Sequence, residues 1–163
     1  MTLQKLFLTF GGAGLSNKAP ETVGTLAALP VGVAILFYLG METLFMLTLA
    51  ITVIGVLEIN KYEKATGLHN QQYIVIDEAA GMWLSLMIAV STANTMSYPY
   101  AVILAIVLSF AAFRLFNSWK PSTIGWIDRE VKGGLGVMLD DVVAGIAGGF
   151  LTVIILMGLE KVL

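Results

Sequence analysis

The sequence predicts an all-α fold: a polytopic membrane helical bundle of about four to five apolar helices with short loops and an acidic site at one membrane face. Two observations carry this. Hydrophobic residues fill 58% of the 163 positions and charged residues only 12%, where an ordinary soluble domain carries roughly a quarter. The mean hydropathy is +0.88, and the apolar residues gather into blocks of helical length. A soluble helical bundle with a very apolar core is the alternative, but charge this sparse cannot coat one. The length suits a single domain over residues 1–163.

Five apolar blocks follow one another: Val23–Gly40, Thr43–Leu57, Ala79–Val90, Pro99–Phe116 and Val142–Leu159. The longest approach the roughly 20 residues that cross a bilayer. The second and third are short, which fits a tilted, re-entrant or flank-extended helix. Three intervening segments are basic, holding Lys5 and Lys18, then Lys61 and Lys64, then Arg114, Lys120, Arg129 and Lys132. If every block crosses, these eight of the nine Lys and Arg residues share one side and Lys161 alone lies opposite. The positive-inside rule assigns the basic side to the cytoplasm. Glu58, Glu63, Asp77, Glu78, Asp128, Glu130, Asp140 and Asp141 fall on that same side, where a head-group site would be built.

Composition also excludes chemistries. There is no cysteine, hence no disulfide, thiol nucleophile or thiolate metal site. His69 is the one histidine, so mechanisms needing two in one chain are ruled out, and a lone loop histidine is more simply a hydrogen-bonding residue. A net charge of −2 gives no footprint for nucleic acid.

Two acidic pairs stand out. Asp77-Glu78 directly precedes the third block and Asp140-Asp141 the fifth, so both pairs are expected at helix N-termini. One carboxylate would suffice to complement a helix dipole, at about 0.3–1 kcal/mol. Two adjacent acids repel, and a divalent cation relieves that repulsion; carboxylate oxygens suit Mg2+. The small residues behind each pair, Ala79, Ala80 and Gly81, then Ala144, Gly145, Ala147, Gly148 and Gly149, allow close helix packing that would bring the acidic ends together. The glycine-rich run Gly11 to Pro20, with Thr22 and Thr25 beyond it, offers backbone N–H groups for an anion, though it lacks P-loop spacing. Arg114, Asn117 and Lys120 recur at three-residue spacing along one helix face, with Pro121 closing the helix. Arg114 sits where an apolar block ends, a place where ionisable groups are functional candidates, and Arg and Lys are natural phosphomonoester clamps.

Assembled, these residues resemble the phosphatidylglycerophosphatase A family. The resemblance runs from the Gly-rich start to Gly149 and rests on Ala19-Pro20 with Thr22 to Ala28, Ile74 to Glu78 with Gly81-Met82-Trp83, Phe113 to Pro121, Trp126 to Arg129, and Gly133 to Gly145. It implies a multi-pass enzyme of the bacterial inner membrane that hydrolyses phosphatidylglycerol phosphate to phosphatidylglycerol and phosphate with Mg2+. It places Asp77, Glu78, Asp140 and Asp141 in the metal or catalytic cluster, and Arg114, Lys120 and Arg129 near phosphate. Thr22, Thr25 and Asn117 complete the expected substrate-binding set, and Asp77 or Asp141 is the expected base. Three positions depart from the family pattern: Glu21 stands where glycine is common, and Asn117 and Asn70 stand where aspartate is usual. Asn117 can offer an oxygen to Mg2+ or orient a water, but it cannot be a nucleophile or base.

Other chemistries fit less well. Histidine-dependent lipid phosphatases need a second histidine, and neither an Asp-x-Asp-x-Thr/Val segment nor a CDP-alcohol transferase signature occurs. A small membrane carrier with an acidic cation site is the alternative, and it would place its charges near span midpoints.

Overall fold

In the computed structural model, which describes residues 1–69 and 71–163, seven α-helices account for most of the chain. They are α1 Leu3–Leu8, α2 Pro20–Leu39, α3 Met41–Thr66, α4 Ile76–Ala93, α5 Ala101–Trp119, α6 Ser122–Glu130 and α7 Gly133–Val162, with a 3-10 turn at Ala13–Leu15. Helices α2, α3, α5 and α7 are long and apolar enough to cross a membrane. Short loops reverse the chain between successive long helices, down to Gly40 alone between α2 and α3, so α2, α3, α4, α5 and α7 run alternately up and down.

Helix α4 is the axis of the bundle. It packs against α2, α3, α5 and α7, and residues from Ile76 to Ala93 are buried on nearly every face. That position explains its composition. A helix clothed by protein can carry Ser85, Trp83 and two acids, because neighbours supply the partners lipid cannot. Ser85 donates to the Ser109 carbonyl at 3.1 Å, and Trp83 Nε1 donates to the Ala28 carbonyl at 2.8 Å. The outer helices show the reverse pattern, with Phe37, Phe45, Ile103, Val107, Phe150 and Ile154 exposed as a lipid-facing surface requires.

Glycines set how closely the helices approach. A Cβ on Gly145 of α7 would collide with the Gly81 carbonyl of α4, and one on Gly81 would meet the Asp141 carbonyl and the Phe113 ring. The two helices therefore touch backbone to backbone, the contact small residues permit in membranes. Gly148 makes a similar approach to Phe113 of α5.

One expectation changes. Asp140 and Asp141 do not begin a helix: α7 starts at Gly133, so they lie two turns inside it. Gly133–Gly136 form its first turn, and two of these glycines serve close packing: a Cβ at Gly134 would strike the Val56 carbonyl and one at Gly136 the Val131 carbonyl. The short block Thr43–Leu57 belongs to the 26-residue α3, whose polar last turns continue past the apolar core.

Replacing Gly145 by Ala is expected to lower the unfolding midpoint in detergent, as overpacking costs about 1–3 kcal/mol. Gly158→Ala, on the same helix with open space around it, is expected to hold or raise the midpoint. Thermal unfolding of the two purified variants checks the contrast.

Candidate active site

The polar residues converge at one end of the bundle. Asp77 and Glu78 occupy the first turn of α4, and the α4–α7 crossing brings Asp140 and Asp141 beside them. All four are buried, at 8%, 2%, 4% and 3% exposure. Oxygens of Asp77, Asp140 and Asp141 lie within 4.8 Å of one another.

Each carboxylate has a different set of partners. Glu78 is held by Arg114, whose NH1 lies 3.3 Å from Oε2, and by the Thr25 hydroxyl, which donates to Oε2 at 2.8 Å. Asp140 accepts from Lys120 Nζ at 3.1 Å, and the same ammonium donates to Asp128 of α6 at 2.9 Å. Asp141 accepts from Asn117 Nδ2 through Oδ1, while its buried Oδ2 has no hydrogen-bond partner among the described residues. Asp77 Oδ1 accepts from the Glu78 backbone N–H at 3.0 Å. Among the described residues, then, Asp77 and Asp141 are the two buried acids of the cluster without an ion-pair partner.

Helix α5 supplies the bridge. Arg114 and Asn117 are one turn apart, and the guanidinium donates to Asn117 Oδ1 while Asn117 donates onward to Asp141. Arg114 NH2 also reaches Thr22 Oγ1 at 3.2 Å. An arginine carries five N–H donors; with these bonds made, the Nε–H and one N–H on NH2 remain for an anion. Lys120 caps α5 in the left-handed conformation, φ 51°, and the α6 backbone at Gly125 packs on its carbonyl. The strain of a non-glycine residue there turns the chain so that the ammonium reaches both Asp128 and Asp140.

The cluster adjoins a polar cavity of about 310 Å³ lined by Ala19, Pro20, Glu21, Thr22, Gln72 and Arg114. The glycines of the Gly11 to Pro20 run do not line this cavity: Gly14 is packed against the Tyr73 carbonyl, and the run contributes only Ala19 and Pro20 to the wall. Thr25 serves Glu78 rather than the cavity. Arg129 is exposed on α6, beyond the hydrogen-bonded cluster. His69 pairs with Glu63 on the surface, and Asn70 lies outside the described residues. Spacing and residue type assign no role to Asp128 or Gln72; Asp128 is marked by its place among the acids of the basic side and in the Trp126 to Arg129 segment.

Compared with known proteins, the chain matches the family model for phosphatidylglycerophosphatase A over residues 6–156. The chain belongs to the phosphatidylglycerophosphatase A family. It is 38% identical over 135 residues to phosphatidylglycerophosphatase A of Escherichia coli, covering 83% of this chain and 73% of that one. It is 33% identical over 135 residues to the protein of that name in Haemophilus influenzae, covering 83% and 77%. A Bacteroides thetaiotaomicron protein named "Putative phosphatidylinositol-3-phosphatase" is 34% identical over 139 residues, covering 83% and 82%. No solved structure matches the chain. Family and fold together make this a membrane lipid phosphatase.

The Lys120–Asp128 pair lies outside the spans. Burial pushes Asp128 up, but the hydrogen bond and charge of Lys120 outweigh it and hold the carboxyl below its ordinary value. The pair therefore stabilises the fold above the unfolded carboxylate pKa of about 3.9, and that contribution is lost as the pH falls through the lower folded value. Both side chains are 32% exposed, so the effect is at most about 1 kcal/mol. Asp128→Asn is expected to lower stability by that much at pH 7, with the gap to wild type closing as the pH falls below the ordinary carboxylate range, read from unfolding midpoints across pH.

Proposed function

We propose that the protein hydrolyses phosphatidylglycerol phosphate to phosphatidylglycerol and inorganic phosphate, assisted by Mg2+ at Asp77, Asp140 and Asp141, on the cytoplasmic face of the bacterial inner membrane. The observation that carries the metal reading is the buried, unpartnered Oδ2 of Asp141 within a group of three converging carboxylates. A buried polar atom without a partner is costly. Hard carboxylate oxygens are the donors Mg2+ takes, and Asp77, Asp140 and Asp141 each bring one within 4.8 Å of the others. The donor set fits the ion. Charge agrees: among the described residues, the four buried carboxylates pair with Arg114 and Lys120 alone.

When bound, Mg2+ supplies neutralisation of the phosphate and a more acidic water. The remaining work falls to the side chains. The free N–H groups of Arg114 hold the oxygens of the terminal phosphate and stabilise the charge that develops on them. Glu78, Thr22 and Asn117 keep the guanidinium in place, so its orientation is set before substrate arrives. Lys120 holds Asp140 while adding positive charge beside the phosphate. Asp77 or Asp141, the two acids free of an ion pair, accepts the proton of the attacking water. The cytoplasmic assignment is supported by the shared end of Lys5, Lys18, Lys61, Lys64, Arg114, Lys120, Arg129 and Lys132, opposite Lys161. The carrier alternative would want its charges at mid-span, whereas this cluster gathers where α4 begins and α5 ends.

Phosphate release from phosphatidylglycerol phosphate in detergent micelles is expected with Mg2+ and not with EDTA. Asp141→Asn is expected to lower kcat by at least about a hundredfold, the scale of losing one positioned electrostatic group. No turnover from folded wild type with Mg2+ would overturn the assignment.

A further inference from the structure

We propose that the cavity beside Arg114 is a hydroxyl-reading subsite, in which Glu21 selects a phosphomonoester carried on a hydroxylated head group over one carried on a plain alkyl linker. This rests on the phosphatase reading above. The cavity is about 310 Å³, near the lower end of small-molecule pockets at about 300–1,000 Å³, a size for a head group rather than acyl chains. Its polar chemistry is divided. Arg114 offers unused N–H donors on one side, and Thr22, which accepts from that guanidinium, stands next to it. Glu21 and Gln72 supply its other polar side chains, and Ala19 and Pro20 complete the wall.

Glu21 lies in the first turn of α2, where an acid complements the helix dipole, but that role fixes no partner for its carboxylate. Its backbone carbonyl accepts from Thr25 at 3.0 Å, while the side chain is exposed and forms no salt bridge among the described residues, Arg114 included. A carboxylate lining a cavity that takes a phosphate repels that phosphate, so it is misplaced as a phosphate ligand. It is well placed as an acceptor for a neutral O–H. With the terminal phosphate between Arg114 and the acidic cluster, the part of the head group that follows it toward the lipid lies in the cavity. In phosphatidylglycerol phosphate that part is a glycerol unit with a free secondary hydroxyl. The hydroxyl donates to Glu21, and Gln72 can donate to or accept from the same group.

The test compares two lipids in micelles: phosphatidylglycerol phosphate, and the analogue whose linking glycerol is replaced by propane-1,3-diol. Wild type is expected to favour the hydroxylated lipid by about tenfold or more in kcat/KM, mainly through KM, the worth of one charge-assisted hydrogen bond. Glu21→Ala is expected to bring the ratio close to one, and Glu21→Gln, which keeps a neutral acceptor, to give an intermediate ratio. Turnover of the analogue by each variant reports that the variant is folded. Equal turnover of both lipids by wild type, or a preference retained in Glu21→Ala, overturns the subsite while leaving the phosphatase standing. No phosphate from either lipid with wild type overturns the phosphatase reading and the subsite with it.

Discussion

The backbone contact between α4 and α7 is the constraint on which the rest depends. Because Gly81 and Gly145 carry no side chain, the two helices meet closely enough that Asp77, Glu78, Asp140 and Asp141 share one buried space. Desolvating an ion costs several kcal/mol even after relaxation. The molecule offsets that cost unevenly. Glu78 receives Arg114 and Thr25, Asp140 receives Lys120, and Asp141 receives only one amide N–H from Asn117. That incomplete compensation is the observation on which the proposed cation site rests.

The surrounding helices divide the remaining tasks. The apolar outer faces of α2, α3, α5 and α7 suit the bundle to the lipid tails of a membrane. Helix α5 ends where Arg114, Asn117 and Lys120 meet the acids, and the left-handed turn at Lys120 lets α6 fold back over the site. Trp119 and Trp126 are exposed at this level, where indole rings favour the interface between lipid and water.

Much of this was legible in the sequence, and the misses have physical causes. Asp77-Glu78 at a helix start, the role of small residues in joining two helices, and the alliance of Arg114, Asn117 and Lys120 all follow from spacing and residue type. The start of α7 did not, because glycine marks both a loop and a close backbone approach, and only the neighbouring carbonyls of Val56 and Val131 decide between them. Thr25 looked like a phosphate ligand because its hydroxyl follows a glycine-rich run, yet its helical face turns it to Glu78. The link between Lys120 and Asp128 depends on how tightly the chain turns after α5, a tertiary fact that spacing along the chain does not carry.

The most direct test of the account is Mg2+ binding itself, read as the rise in unfolding midpoint of the detergent-solubilised protein during titration. A saturable rise in wild type that disappears in Asp141→Asn is the predicted result. A rise of the same size in both proteins, or none in a wild type that still releases phosphate, would contradict the claim that the buried carboxylates form the metal site.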